Sequence, residues 1–373
     1  MPQKHGGNFG HRPKASQIQK GMVINMNKTK IAVFFGGCSP EYSVSLQSAY
    51  SVIINLNRSK YDPLLIGISN TGQWYHYTGE IEKIKEDCWQ NADDCTPAVL
   101  SPNRNTKKLL LLKESRIESL PIDAAFPVMH GKYGEDGTLQ GLIEMAGIPL
   151  IGCGTLASAL CMDKARAHNL AQLAGIEVPK SVVLRREDNS DIISQFVQEV
   201  GYPLFIKPTK AGSSYGITKV QQAKDIKAAI ALAFQYDNEI IAEENINGFE
   251  VGCAIMGATD PIAGEVDEIE LSEGFFDFSE KYTLKTSSIH VPARTSKKNA
   301  DRIKNTALTL YKTLGCSGFA RVDMFLTPND HIVFNEINTI PGFTEHSRYP
   351  AMMKAAGLSF SEMLDKIIES AVK

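Results

Sequence analysis

Two short segments toward the C-terminal end carry oxygen donors at alternate positions, Arg321-Val-Asp323 and Glu336-Ile-Asn338. Successive side chains of an extended strand point to opposite faces. Arg321, Asp323 and Phe325 therefore share one face, and Phe334, Glu336 and Asn338 share a face of the next strand. Paired as a hairpin across a Thr327–Asp330 turn, the strands bring two carboxylates and an amide together. Hard oxygen donors of this kind suit Mg²⁺ carried with nucleotide phosphates. The same letters also describe a solvated sheet face laced with cross-strand ion pairs, and the pattern alone leaves both readings open.

Lys207 ends an apolar strand, Leu204–Ile206, and Pro208 stops it. Lys210-Ala-Gly212-Ser213-Ser214-Tyr215-Gly216 follows, where Gly and Ser let backbone N–H groups approach a phosphate. No G-x-x-x-x-G-K-[ST] is present, so this is not a Walker loop. A plain Gly/Ser hairpin turn is the alternative. Lys164 falls in the first turn of a helix capped by Asp163, where a cation opposes the helix dipole. A phosphate nearby compensates; otherwise the lysine is solvated. Glu41 opens the first helix after Gly36–Gly37, where capping suffices to explain an acid. It also lies where ligands bind parallel α/β sheets, at the carboxyl ends of the strands, so it could hold an ammonium. His130-Gly-Lys-Tyr-Gly-Glu-Asp-Gly137 follows another strand and has too many glycines for a packing element, which favours a binding loop. Gly152-x-Gly154-x-x-Ala157 spells a dinucleotide fingerprint, but a lone match is weak.

These residues need elements to hold them. Apolar runs predict strands at Lys30–Phe35, Leu64–Ile68, Ala124–Val128 and Ile148–Gly152, with a helix through Val44, Leu46, Ser48, Val52 and Ile53. Strands alternating with helices predict a parallel α/β region. Beyond it, a helix is expected from Asp163 to Leu173. Strands follow at Val182–Leu184, Leu204–Lys207, Ile217–Val220, Ile240–Glu243, Glu250–Met256, Ile262–Ile269, Gly318–Phe325 and His331–Asn335. Helices fall at Asp225–Phe234, Lys298–Leu314 and Ser359–Ser370. The expected organisation is a disordered leader at 1–25, an N-terminal α/β domain at 26–153, and two α+β units at 154–242 and 243–373.

Of 373 residues, 43% are hydrophobic and 22% charged, with a formal net charge of −3. That composition is globular rather than disordered. It offers no basic face for nucleic acid, and no apolar run is long enough to span a membrane as a helix. The first 25 residues have no apolar stretch of the secretory kind. The 7 cysteines lack C-x-x-C spacing and read as free thiols in a reducing cytoplasm.

Seven ordered segments together resemble the D-alanine–D-alanine ligase family of the ATP-grasp superfamily. They are Gly36-Gly-Cys-Ser-Pro-Glu41 with Val44-Ser-Leu46, the His130–Gly137 loop, Met162-Asp-Lys164, Lys207-Pro with Gly212-Ser-Ser214, Glu280-Lys-Tyr282, Arg321-Val-Asp323 and Asn335-Glu-Ile-Asn-Thr-Ile-Pro-Gly342. The resemblance runs from about Lys30 to the C-terminus. It implies an ATP-grasp fold behind a Rossmann-like N-terminal domain, and an ATP-dependent ligation through a D-alanyl phosphate. Glu41 would hold the first substrate's ammonium, oriented through Ser213 and Tyr282, with His130 alongside. Lys164, Lys207 and Lys281 would contact phosphates, as part of an ATP site with Ser214. Glu243 would lie near the adenine and Glu250 near the ribose. Asp323, Glu336 and Asn338 would hold two Mg²⁺, for which Mn²⁺ can substitute. Arg321 and the Gly342 N–H would form the oxyanion hole. Ser347 would bind the second substrate's carboxylate, and a lid at about 272–288 would carry Lys281 and Tyr282. A homodimer is implied as well.

One departure narrows the resemblance. Arg348 stands where housekeeping members usually have an apolar residue, which is similar to the vancomycin-resistance branch. Glu280-Lys-Tyr282 is kept, and Phe276 stands where Tyr is frequent; both are similar to the D-serine enzymes of that branch. D-alanine and D-serine are the substrates so implied. Arg348 would alter hydrogen bonding in the second subsite, or else it pairs with a nearby acid and leaves specificity unchanged. The alternatives are a D-alanine–D-alanine ligase and, from another class, a non-catalytic ATP-binding regulator.

Overall fold

The computed structural model describes residues 28–189, 191–212, 215–271 and 287–372. The expected leader, Ser213, Ser214, Phe276, Lys281, Tyr282 and the lid from 272 to 286 lie outside these residues.

Three sheets occupy successive stretches of chain. The first is built on β1 (Thr29–Gly36), whose residues Ile31 to Phe35 are all solvent-free. A strand covered on both faces reads as such an unbroken apolar run. It pairs in parallel with β2 (Tyr61–Ile68) and β7 (Ala124–Pro127). Beyond β2 lie β3 (Trp74–Tyr77), β4 (Cys95–Leu100), β5 (Lys108–Leu112) and β6 (Ile117–Pro121), all antiparallel. The parallel part expected from the sequence is therefore confined to β2-β1-β7. Ile148–Gly152 is not a strand as expected; it makes one isolated bridge, Leu150 to Ala125. Pro149 lacks the N–H a ladder needs, and Gly152 turns the chain at φ +127°.

Helix α1 (Tyr42–Asn55) packs on β1, α2 (Glu82–Lys85) on α1, and α3 (Thr138–Met145) on β7. Then come α4 (Thr155–Met162) and α5 (Lys164–Leu173). The second sheet holds β8 (Ser181–Arg185), β9 (Leu204–Pro208), β10 (Thr218–Val220) and β11 (Glu239–Glu244) in the order β10-β9-β11-β8. It is antiparallel and covered by α6 (Asp191–Val200) and α7 (Ile226–Ala233). Gly212–Gly216 spells G-x-S-x-G, the letters of a nucleophile elbow, but it joins the antiparallel strands β9 and β10 rather than a strand to a helix.

The third sheet has the order β14-β13-β12-β15-β16: β12 (Phe249–Met256), β13 (Ile262–Leu271), β14 (Ser287–His290), β15 (Phe319–Leu326) and β16 (Ile332–Asn338). Helix α8 (Lys297–Thr313), with Ser296 as its cap, packs on one face. Helices α9 (Arg348–Ala355) and α10 (Phe360–Val372) close the chain. The first and third sheets share a core in which Phe126 and Phe343 stand edge to face at 5.9 Å, and Phe319 and Phe343 at 5.2 Å. Such ring pairs add about 1 kcal/mol each beyond area burial. They fix the loop before α9 against the N-terminal third. Gly318 is obligatory at this joint, because a Cβ there would lie 2.8 Å from the Gly152 Cα.

All seven cysteines are free thiols. Among the described residues no helix is long and apolar enough to cross a membrane.

Candidate active site

Strands β15 and β16 pair antiparallel with Arg321 opposite Asn338 and Asp323 opposite Glu336. Partners directly opposite share a face, so these four side chains meet as expected. Phe334 does not join them. A bulge shifts the register after Asp323, pairs Phe334 with Met324, and turns both into the core. Asp323 is buried. Arg321 Nε donates to its Oδ1 at 2.8 Å and Nη2 to its Oδ2 at 2.7 Å, while Asn338 Nδ2 donates to Oδ2 at 2.9 Å. Burial alone would lower the Arg321 pKa; the Asp323 charge outweighs it and raises it above the ordinary value. The solvated-face reading fails for this cluster. Among the described residues no group of three or more His, Cys, Asp or Glu could hold a metal ion; the donors here are two carboxylates and one amide.

Asp163 caps α5 by accepting from the Arg166 N–H at 3.1 Å. This places Lys164 at the first helical position, buried rather than solvated. Its Nζ lies 2.9 Å from the Ala211 carbonyl and 3.6 Å from Glu336 Oε2. One cation thus links the Gly/Ser loop to the acidic strand. Lys207 on β9 pairs with Glu243 Oε2 on β11 at 2.5 Å. Burial would raise the Glu243 pKa, but the Lys207 ammonium, with Lys164 beyond it, holds it below the usual carboxylate range. Lys164, Lys207, Glu243, Glu250 and Glu336 all line one cleft of about 510 Å³ between the second and third sheets. That volume accommodates a ligand of nucleotide size.

The other end of the site comes from the first third of the chain. Glu41 occupies the N-cap position of α1 but makes no side-chain capping bond, so capping does not explain it. Its carboxylate instead packs against two glycines: a Cβ on Gly212 would sit 2.6 Å from Oε2, and one on Gly131 would collide with the same atom. His130 is buried and fixed on both nitrogens. Nδ1 donates to the Ile340 carbonyl at 2.9 Å, so Nε2 accepts from Ser48 Oγ at 3.0 Å. Burial pushes its pKa down to about 4. Ser347 precedes α9, and its Oγ accepts the Thr344 N–H at 3.0 Å. The same Oγ stands over Gly342, where an added Cβ would come within 2.7 Å.

Arg348 is buried and pairs with acids. Nε and Nη2 donate to Asp267 at 2.7 and 2.8 Å, Nη1 donates to Glu250 at 2.8 Å, and Nη2 lies 3.3 Å from Asp323 Oδ1. Gly252 faces Asp267 and Asp323 across the sheet and leaves room for the guanidinium; a Cβ there would strike it.

Three groups escaped sequence reasoning. Glu135 accepts from Gly131 N–H at 2.8 Å and from Ile340 N–H at 3.1 Å. Burial, reinforced by Glu41, pushes its carboxyl up to about 8. Its signal was an acid inside a loop otherwise singled out for its glycines. His168 stands four residues after Lys164, hence on the same helix face, and reaches the Asn335 carbonyl at 2.7 Å. Asp267, wholly buried, left no local signal, since only the sheet register brings Arg348 to it.

Comparison with known proteins agrees with this architecture. The family model described as D-ala D-ala ligase N-terminus matches residues 30–153, and that described as D-ala D-ala ligase C-terminus matches 170–369. The crystal structure of VanG D-Ala:D-Ser ligase from Enterococcus faecalis is 57% identical, covers 92% of this chain and 99% of its own, and superposes with a TM-score of 0.86. Vancomycin B-type resistance protein VanB from E. faecalis is 44% identical over 93% of this chain and 100% of its own. A D-alanine–D-alanine ligase from Caldicellulosiruptor bescii is 41% identical over 93% of this chain and 96% of its own. The chain has the ATP-grasp architecture of these enzymes, belongs to the D-alanine–D-alanine ligase family, and is a ligase.

Proposed function

We propose that this ligase joins D-alanine to D-serine at the expense of ATP, making a modified peptidoglycan precursor dipeptide of the vancomycin-resistance kind. The observation that carries the chemistry is the sheet face on which Arg321, Asp323, Glu336 and Asn338 meet beneath Lys164. D-serine as second substrate rests on Phe276, Arg348 and the retained Glu280-Lys-Tyr282, and on likeness to a chain described as a D-Ala:D-Ser ligase at 57% identity.

A carboxylate is a poor acyl donor, and transfer of the ATP γ-phosphoryl group turns the D-alanine carboxylate into an acyl phosphate. Lys164 and Lys207 offset phosphate charge in the cleft. The donor set of two carboxylates and an amide fits Mg²⁺, a hard cation. Asp323, Glu336 and Asn338 would hold it, and it would supply charge neutralisation of the phosphates. Glu41 holds the ammonium of the first D-alanine between Gly131 and Gly212. His130, neutral and bonded on both nitrogens, positions the neighbouring loop rather than moving protons. The second amine attacks the acyl phosphate; Arg321 and the Gly342 N–H stabilise the developing oxyanion, a contribution of about 3–4 kcal/mol per donor. Phosphate leaves and the amide remains. By resemblance, Lys281 is assigned to a phosphate contact and Ser213 and Tyr282 to orienting Glu41, and the site must exclude the water that would hydrolyse the acyl phosphate.

The test is product analysis with ATP, Mg²⁺ and D-alanine, alone and with D-serine or D-lactate at matched low concentrations. D-alanyl-D-serine as the dominant product is expected. Equal yields of D-alanyl-D-alanine and D-alanyl-D-serine would remove the D-serine assignment and leave the D-alanine–D-alanine reading. ATP binding without any condensation product would favour the non-catalytic alternative.

A further inference from the structure

The loop that carries Gly342 takes its orientation from the first third of the chain. Both backbone groups of Ile340 are held by side chains of the 130–137 loop: its carbonyl accepts from His130 Nδ1 at 2.9 Å, and its N–H donates to Glu135 Oε1 at 3.1 Å. Two residues before the peptide assigned to the oxyanion, the chain is thus pinned on both sides. Phe343 N–H adds a third tie, to Ser48 Oγ on α1 at 3.3 Å. The second oxygen of Glu135 accepts the Gly131 N–H at 2.8 Å, and Gly131 is the residue against which Glu41 packs.

We infer that Glu135 is a positioning residue, whose carboxyl group locks the Glu41 ammonium subsite and the Gly342 loop into one rigid unit. The inference rests on the ligase reading, which assigns Glu41 and Gly342 their substrates. A glutamate is required for geometric reasons. Two N–H donors arrive from two different loops, and each needs an acceptor oxygen. Glutamine offers one acceptor and would set an NH₂ against the other N–H. Aspartate is one methylene too short to reach both. Leaving either N–H unpaired in this buried place carries a desolvation penalty. Among ionisable groups, the Glu41 charge raises and the Arg321 charge lowers the Glu135 carboxyl, and the buried Cys153 thiol lies within reach of its charge. When protonated, the carboxyl still has an acceptor lone pair on its hydroxyl oxygen as well as on its carbonyl, whereas an amide NH₂ has none.

Glu135→Gln tests this with two independent readouts. Hydrogen–deuterium exchange is measured on peptides covering 130–137 and 338–344, without substrate. Faster exchange in both segments together is expected; a change confined to 130–137 would overturn the coupling. Steady-state kinetics supply the second readout. Misplacement by about 1 Å costs on the order of 100-fold, so kcat/KM for the first D-alanine should fall about that much while KM for ATP stays within about twofold. Unchanged kcat and unchanged KM for D-alanine, per mole of folded protein, would mark a merely structural role and reject the inference. Should the wild-type protein form no dipeptide, the functional reading fails, and the exchange data still decide the coupling. If Glu135→Gln does not fold, Glu135→Asp serves for the same measurements with the same expected directions.

Discussion

His168 Nδ1 and Glu243 Oε1 face each other 3.7 Å apart in the interior, and among the described residues neither atom has a hydrogen-bond partner. Because His168 Nε2 must donate to the Asn335 carbonyl, Nδ1 presents a lone pair to a carboxylate oxygen. Burial keeps His168 neutral by lowering its pKa, so the ring offers Glu243 no proton. At close range Lys207 compensates the acid.

Glu243→Gln leaves the Lys207 ammonium buried without its counter-ion. Breaking such a pair costs roughly 3 kcal/mol. The new amide can donate to His168 Nδ1 and recover about 1 kcal/mol. A net loss of about 2 kcal/mol in urea unfolding at pH 7 is expected, and Glu243→Leu, which restores nothing, should lose more. Equal stabilities of wild type and Glu243→Leu would contradict the pairing. The sign with pH follows from the depressed Glu243 pKa: its stabilisation is present above the unfolded carboxylate value and is lost as pH falls through the folded one.

His130 and Glu135 bias stability in opposite directions. His130 falls to about 4 in the folded state, so between pH 4 and 6.5 the unfolded chain binds the extra proton and stability declines as pH drops. Glu135 rises to about 8, so between pH 4.5 and 8 the folded chain binds the extra proton and stability declines as pH climbs. Each slope approaches 1.4 kcal/mol per pH unit at its limit. Relative to wild type, His130→Asn should gain and Glu135→Gln lose stability as pH falls from 6.5 to 5. Urea midpoints at half-unit steps check this, and parallel curves for both variants would refute it.

The parts of this site written in local pattern were legible. Period-2 alternation located the Arg321, Asp323, Glu336 and Asn338 face because strand geometry converts spacing directly into side. It failed at Phe334 because a bulge adds one residue, and no letter near Asn335 announces it. Lys164 was placed on its helix by Asp163, but its burial was not visible, since burial depends on the loop at Ala211. Arg348 and Asp267 lie 81 positions apart; a pair made by packing a helix end onto a sheet leaves no trace in either neighbourhood. The β3–β6 meander was missed for a related reason. Its strands are short and half exposed, and the one unbroken apolar run among them, Leu109–Leu112, buries only alternate residues.

Arg348 carries a stability prediction of its own. Arg348→Met removes the cation from beside two carboxylates that are almost wholly buried, Asp267 and Asp323. A loss of about 3–5 kcal/mol is expected. Adding Asp267→Asn removes one orphaned charge and should return a sizeable part, so the double variant should be more stable than Arg348→Met alone. Chemical denaturation of the two single variants and the double closes the cycle. Strict additivity would mean that the two side chains are not coupled.

Gly131→Ala probes the ammonium subsite. Gly131 adopts φ +71°, which costs an L-residue about 1–2 kcal/mol. The methyl would also displace Glu41 Oε2. The expected result is a folded protein with KM for the first D-alanine raised about tenfold or more and ATP affinity unchanged. An unchanged KM for D-alanine would dissociate Glu41 from the ammonium.

Asn338 distinguishes a ligand cluster from a structural ion network. Its Nδ2 donates to Asp323 Oδ2 at 2.9 Å, which leaves its carbonyl oxygen as a hard donor beside Glu336. Asn338→Ala takes away that oxygen and loosens Asp323, while Arg321 still holds the carboxylate through two nitrogens. Stability should therefore change by less than about 1 kcal/mol. The Mg²⁺ concentration for half-maximal turnover should rise about 10- to 100-fold, and chelation by EDTA should abolish activity in both proteins. A structural network predicts the reverse pattern: a lower unfolding midpoint with an unshifted Mg²⁺ curve. ATP turnover by Asn338→Ala at the wild-type rate and Mg²⁺ dependence would remove this residue from the metal site, and with it the argument that the β15–β16 face holds the divalent ions.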